Sequence, residues 1–133
     1  MSRLTIFLAR SIGLFTFLLV GGLMVRGSAI IETSVANGPV MLAYAIISLA
    51  IGVAMVIGHN VWSGGLLPVA VTLVGWLIFA KGLTLLLLAP EDLSRAFAQM
   101  HYGEHYDLYL TPALLIGLYL TWAGFTVPGA RKL

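Results

Sequence analysis

Apolar stretches long enough to cross a bilayer recur along this whole 133-residue chain, and that recurrence constrains the fold more than any motif. Hydrocarbon about 30 Å thick takes roughly 20 apolar residues per helix, and it offers no water to a backbone that is not hydrogen-bonded to itself. With 60% hydrophobic and 9% charged residues, the chain also has too little polar surface to cover a soluble globule. The expectation is an all-α polytopic membrane protein: a single transmembrane domain of four helices in an antiparallel bundle, in contact with the lipid bilayer.

Four spans are drawn from the punctuation between apolar runs. The first covers residues 4–25, with Arg10 placed to snorkel to the interface. The second covers 39–58, opened by Asn37-Gly38-Pro39 and closed before His59-Asn60. The third covers 66–89 and stops at Pro90, so spans two and three make a tight hairpin. The fourth covers 108–127, with Pro112 in its first turn and Pro128-Gly129 after it. Residues 91–101 read as a short amphipathic helix in the membrane surface, with acids in the first turn and Leu93, Phe97 and Met100 on one face.

The basic residues set an orientation. An even number of spans puts both termini on one side, where Arg3, Arg10, Arg131 and Lys132 outweigh Arg26 and Arg95 opposite; the termini are expected in the cytoplasm. Ser11–Val25 also has the length of a signal-peptide core, followed by the small residues Gly27, Ser28 and Ala29, although Arg26 is out of place in that reading. A formal charge of +2 without a basic run gives no footprint for nucleic acid, and the absence of cysteine excludes disulfides and thiolate chemistry. No cofactor motif is present, so none is expected.

Lys81 is the one charge in the third span. It lies about three or four residues past the span's middle, roughly 5 Å at 1.5 Å per residue. A side chain reaching roughly 6 Å farther leaves its ammonium on the order of 4 Å short of the hydrocarbon boundary. Two readings follow: a snorkelling lysine, or a site that binds an anion, pairs with an acid such as Glu32, Glu104 or Asp107, or relays a proton. His59, Asn60 and Trp62 form a second candidate, with Trp76 nearby, able to hold a substrate or headgroup, against a solvated helix end and an aromatic belt. A third is His101, Glu104, His105 and Asp107, nitrogen and oxygen donors suited to a divalent metal if a helix puts the two histidines on one face, though Gly103 weakens that helix.

Small residues mark where helices approach. Ala50, Ala54 and Gly58 repeat every four residues on span two, and Gly117, Thr121 and Gly124 make a similar face on span four. Internal packing is the default expectation for both stripes, with assembly against a membrane-protein partner or a homo-oligomer as the other use.

The combination Gly58-His59-Asn60-x-Trp62, Gly75-Trp76 and Lys81-Gly82, covering about one helical hairpin, resembles small bacterial four-span integral membrane proteins of uncharacterised function. That resemblance implies a bacterial inner-membrane location and supplies no activity. The functional expectation is a noncatalytic accessory or assembly subunit of a membrane complex. The alternative is a small oligomeric transporter or channel using Lys81 as an anion or proton site. An enzyme would need His59, Lys81 and an acid to meet around one pocket.

Overall fold

A computed structural model describes residues 1–128, and the basic pair Arg131 and Lys132 used for orientation lies outside them. Six helices and no strand are present among the described residues: α1 (Arg3–Arg26), α2 (Ala29–Val35), α3 (Gly38–Gly58), α4 (Leu66–Leu87), α5 (Pro90–Gln99) and α6 (Tyr106–Thr126). Four of them, α1, α3, α4 and α6, are long and apolar enough to cross a membrane.

Local chemistry accounts for most of the boundaries. The Ser2 hydroxyl caps α1 by accepting from the Thr5 N–H, and the Asn37 carboxamide does the same for α3 from Val40, with Pro39 in the first turn. Gly27 ends α1 at φ 84°, a backbone region that a side chain disfavours. Two differences from the expected elements stand out. Residues 29–35, read as a connection, form α2, with the Thr33 and Ser34 hydroxyls folded back onto the carbonyls of Ala29 and Ile30. Helix α6 begins at Tyr106, so Pro112 sits within the helix and deprives the Leu108 carbonyl of its partner four residues on.

The long helices pack chiefly as two pairs, α1 with α6 and α3 with α4. Glycine makes both approaches possible: a Cβ on Gly13 would fall 2.6 Å from the Thr121 nitrogen, and one on Gly117 would fall 2.8 Å from the Phe17 nitrogen. In the other pair, a Cβ on Gly82 would lie 2.5 Å from the Leu49 nitrogen and one on Gly75 would lie 2.9 Å from Met55 Cβ. Backbone therefore meets backbone, which adds dispersion contact where hydrocarbon supplies no hydrophobic drive between helices. The stripe on α3 is corrected. Ala45, Ser48, Gly52 and Met55 are its buried residues, whereas Ala50, Ala54 and Gly58 are exposed and a Cβ on Gly58 would touch nothing. Small residues line more than one side of α3, and Gly75 and Gly82 on α4 select the side carrying Gly52.

Arg10 does not snorkel free. Its Nε donates to the Gly124 carbonyl at 2.9 Å, and its guanidinium lies 4.8 Å from the Phe125 ring centre. The residue four beyond Gly124 is Pro128, which has no N–H, so that carbonyl would otherwise go without an intrahelical partner. Arg10 thus caps α6 from α1, with its cation at the negative end of the helix dipole.

The two pairs meet at one end. Ala9, Met55, Leu67, Val71, Leu120 and Ala123 form a buried cluster drawn from all four long helices. A second cluster, Val20, Tyr106 and Leu110 with Leu23, Ile31 and Tyr102 around it, has no member from α3 or α4. Beside that second cluster α2 bridges the two pairs, touching α1 of one and α3 of the other, and also meets α5.

Candidate functional site

At the joined end, His59 terminates α3 and is 2% exposed. Its Nε2 lies 2.8 Å from Thr5 Oγ1 of α1, and its Nδ1 lies 3.2 Å from Thr72 Oγ1 of α4. Proton counting gives each contact a direction. Thr72 donates to the Val61 carbonyl at 2.8 Å and accepts from the Val61 N–H at 3.0 Å, which leaves its hydroxyl one lone pair. His59 Nδ1–H fills it. In a neutral ring Nε2 is then an acceptor, Thr5 donates to it, and the Ser2 hydroxyl, 2.7 Å from Thr5 Oγ1, donates in turn to Thr5.

Hydrogen bonding therefore runs unbroken from exposed Ser2 to Val61 through a buried imidazole, and it ties α1, α3 and α4 together. The solvated-end reading of His59 is corrected, since the ring is buried and both nitrogens are used within the chain. Asn60 is similarly engaged: its Oδ1 accepts from the Trp62 indole at 2.7 Å and the Trp76 indole at 3.4 Å, while Trp76 packs edge-on against Phe79. Sequence reading singled out His59 and missed Ser2, Thr5 and Thr72. Ser2 reads as a cap before α1, and a hydroxyl in an apolar helix usually bonds its own backbone, so nothing in the spacing marks Thr5 and Thr72 as exceptions.

Lys81 has a different setting. Ala70, Val74 and Ile78 of α4 pack against the four-helix cluster, and Lys81 continues that face a turn farther on. Its ammonium donates to the Tyr44 hydroxyl at 2.8 Å and lies 4.8 Å from that ring's centre. Both side chains are exposed. Tyr44 follows the start of α3 by six residues and Lys81 precedes the end of α4 by six, so both start about 9 Å along the helix from the α2/α5 end. The matching positions explain why they meet. Among the described residues the ion pairs are Arg95–Asp92 and His101–Glu104, and Lys81 belongs to neither. Lys81 and His59 lie toward opposite ends of the α3/α4 hairpin, so the structure does not bring His59, Lys81 and an acid around one pocket.

Glu32 sits on α2, exposed, with its Oε1 close to Gly103. A cavity of about 540 Å³ opens there between α2, α5 and the turn before α6, with Ile31, Val35 and Phe97 as apolar wall and Glu32, His101 and Glu104 as polar groups. His105 and Asp107 line a neighbouring space of about 350 Å³. The expected shared helical face of the histidines is absent, because residues 100–105 turn: His101 adopts φ 48°, and its carbonyl accepts from the N–H groups of both Glu104 and His105. His101 Nδ1 and Glu104 Oε2 are 4.0 Å apart and exposed, and no group of three metal-type side chains gathers among the described residues.

Aromatic residues hold this turn. Tyr102 stacks on Tyr109 with ring centres 5.1 Å apart and meets Phe97 edge-on at 5.0 Å, while Tyr109 donates to the Met100 carbonyl at 2.8 Å and Tyr106 to the Leu23 carbonyl. Burial, and the neighbouring Tyr106 and Tyr44 phenols, raise the Tyr102 pKa above the ordinary tyrosine value.

The chain matches no protein-family model, no curated protein and no solved structure. Function is therefore argued from these side chains alone.

Proposed function

We propose that this chain is an integral protein of a bacterial inner membrane and a noncatalytic accessory or assembly subunit of a membrane complex. In this reading the four long helices span as an antiparallel bundle, both termini are cytoplasmic, and α5 lies in the membrane surface, with Leu93 turned to the protein and its charged residues to water. Each helix keeps large apolar side chains exposed around a narrow buried stripe, as contact with lipid and other helices requires.

Lys81 carries the proposal. A lysine at the centre of a span costs about 2.5 to 3.5 kcal/mol on insertion scales, Lys81 meets a smaller share of that because it can reach toward the boundary, and the Tyr44 hydroxyl offers it a neutral partner only. An opposite charge from another membrane component would offset that cost, and the exposed Lys81 side chain is reachable. The test is purification from native membranes in mild detergent, followed by depletion of whatever copurifies. A fixed partner, and loss of this chain when the partner is removed, is the expected result; a stable lone chain that conducts ions in liposomes would overturn it.

A second reading, a small oligomeric transporter, draws on the same pair, an exposed cationic and phenolic group hydrogen-bonded within the long helices. Here Lys81→Met abolishes flux through a folded protein. Undiminished flux rules out a required lysine charge.

A further inference from the structure

We infer that the cavity between α2, α5 and the turn before α6 binds a small organic cation, an alkylammonium carried on an apolar or aromatic body. The site lies apart from the Lys81 ammonium and does not depend on the assembly reading.

Three observations converge. First, the space suits a small molecule: about 540 Å³ falls within the roughly 300 to 1,000 Å³ of ligand pockets, and it has their division into an apolar wall, from Ile31, Val35 and Phe97, and a few polar groups. Second, those polar groups select a cation. Glu32 comes from α2 and Glu104 from the turn, so two carboxylates from separate elements border one space, and among the described residues neither Lys nor Arg lines it. Arg95, on α5, pairs with Asp92 instead. Third, the chain makes room for one of these acids. Glu32 Oε1 stands where a Cβ on Gly103 would fall, and Gly103 does not adopt the left-handed backbone that calls for glycine. What the missing side chain allows is therefore the approach of the Glu32 carboxylate from α2. An anion would meet two negative charges here, and a metal ion would lack a third ligand among the described residues. Phe97 and Tyr102, edge to face at 5.0 Å, add the ring surface that an ammonium or an aromatic body favours.

The probe is phenyltrimethylammonium, whose charge does not vary with pH, titrated into the full chain in dodecylmaltoside micelles while amide chemical shifts are followed by NMR. Saturable shifts centred on residues 31–36 and 97–104 are expected, and tert-butylbenzene, the neutral molecule of the same shape, should bind about threefold or more less tightly. Glu32→Gln and Glu104→Gln should each weaken the probe by about threefold or more, whereas Asp92→Asn, an acid of α5 outside the cavity, should change it by less than about 1.5-fold. Gly103→Ala leaves every charge in place but displaces the Glu32 carboxylate, and should weaken binding as Glu32→Gln does. The absence of a saturable shift, equal binding of the neutral molecule, or an Asp92→Asn effect as large as that of Glu32→Gln overturns the inference. The charged and neutral probes are compared on the unaltered chain, so misfolding of a variant does not spoil the result. Dihexanoyl phosphatidylethanolamine and phosphatidylglycerol then identify the source of the cation. Displacement of the probe by the ethanolamine lipid alone supports the site with a headgroup ammonium as its occupant, and displacement by neither supports it with a free cation. Equal displacement by both points to their acyl chains and overturns it.

Discussion

Replacing Thr72 by valine keeps the shape of the side chain and removes the oxygen on which three hydrogen bonds converge. Val61 is 37% exposed, so its freed N–H and carbonyl can turn to water. The imidazole cannot: His59 is 2% exposed, and Nδ1–H would lose its acceptor. An unsatisfied buried donor costs about 1 to 3 kcal/mol in soluble proteins. Hydrogen bonds between membrane helices measure lower, averaging about 0.6 and reaching about 1.7 kcal/mol, because the unfolded chain in the membrane also finds partners. Burial favours the upper part of that second range, so the expected loss is about 1 kcal/mol, or about fivefold in the unfolding equilibrium constant. Unfolding in mixed micelles of increasing dodecyl sulfate content, followed by helical circular dichroism, measures it. The decisive arm repeats the substitution in a His59→Ala background, where the loss should shrink to less than half. Equal losses in the two backgrounds, or none in the native one, would refute the hydrogen-bonded chain from Ser2 to Val61.

Gly82→Leu should destabilise by about 1 to 3 kcal/mol, since its Cβ would start 2.5 Å from the Leu49 backbone; Ala50→Leu, on the exposed side of α3, should stay within about 0.5, and the same micelle titration compares them. Arg10→Leu leaves the Gly124 carbonyl without a donor and should cost about 1 to 2 kcal/mol, with faster amide exchange confined to the last turn of α6. Because the folded-state pKa of Tyr102 is raised, its contribution to stability is complete below the ordinary tyrosine value of about 10 and is lost as pH climbs through the raised value. Alkaline unfolding followed by circular dichroism, with ultraviolet absorbance reporting phenolate formation, should show that loss, and Tyr102→Phe should flatten it.

Long-range hydrophobic pattern made the four long helices legible, and terminal chemistry placed the start of α3 and the stop of α4 close to their actual positions. Periodicity over seven residues is too short to distinguish α2 from a loop, so that element was hidden. The choice of face on α3 was hidden for another reason: Ala45, Ser48, Gly52, Ala50, Ala54 and Gly58 give it small residues on more than one side, and only the partner helix ranks them. Lys81 was legible as an isolated charge, whereas Tyr44 was not legible as its partner, because residues thirty-seven apart meet only once α3 and α4 fold back on each other. His59 shows the same limit. Its chemistry was visible, but burial between Thr5 and Thr72 depends on α1 arriving from the far end of the sequence.

The pairing of α1 with α6 also fixes the order in which the chain can be completed. Helices α3 and α4 are neighbours in sequence and can associate as soon as both are in the membrane, but Gly13 meets Gly117 across about a hundred intervening residues. At roughly 5 to 20 residues per second, α1 waits roughly 5 to 20 s for its partner to be synthesised. During that interval its glycine face is open to lipid or to any other small-residue helix at hand. Membrane insertion is therefore sequential while final closure is not, and a nascent chain halted before α6 leaves a finished hairpin beside an unmated first helix.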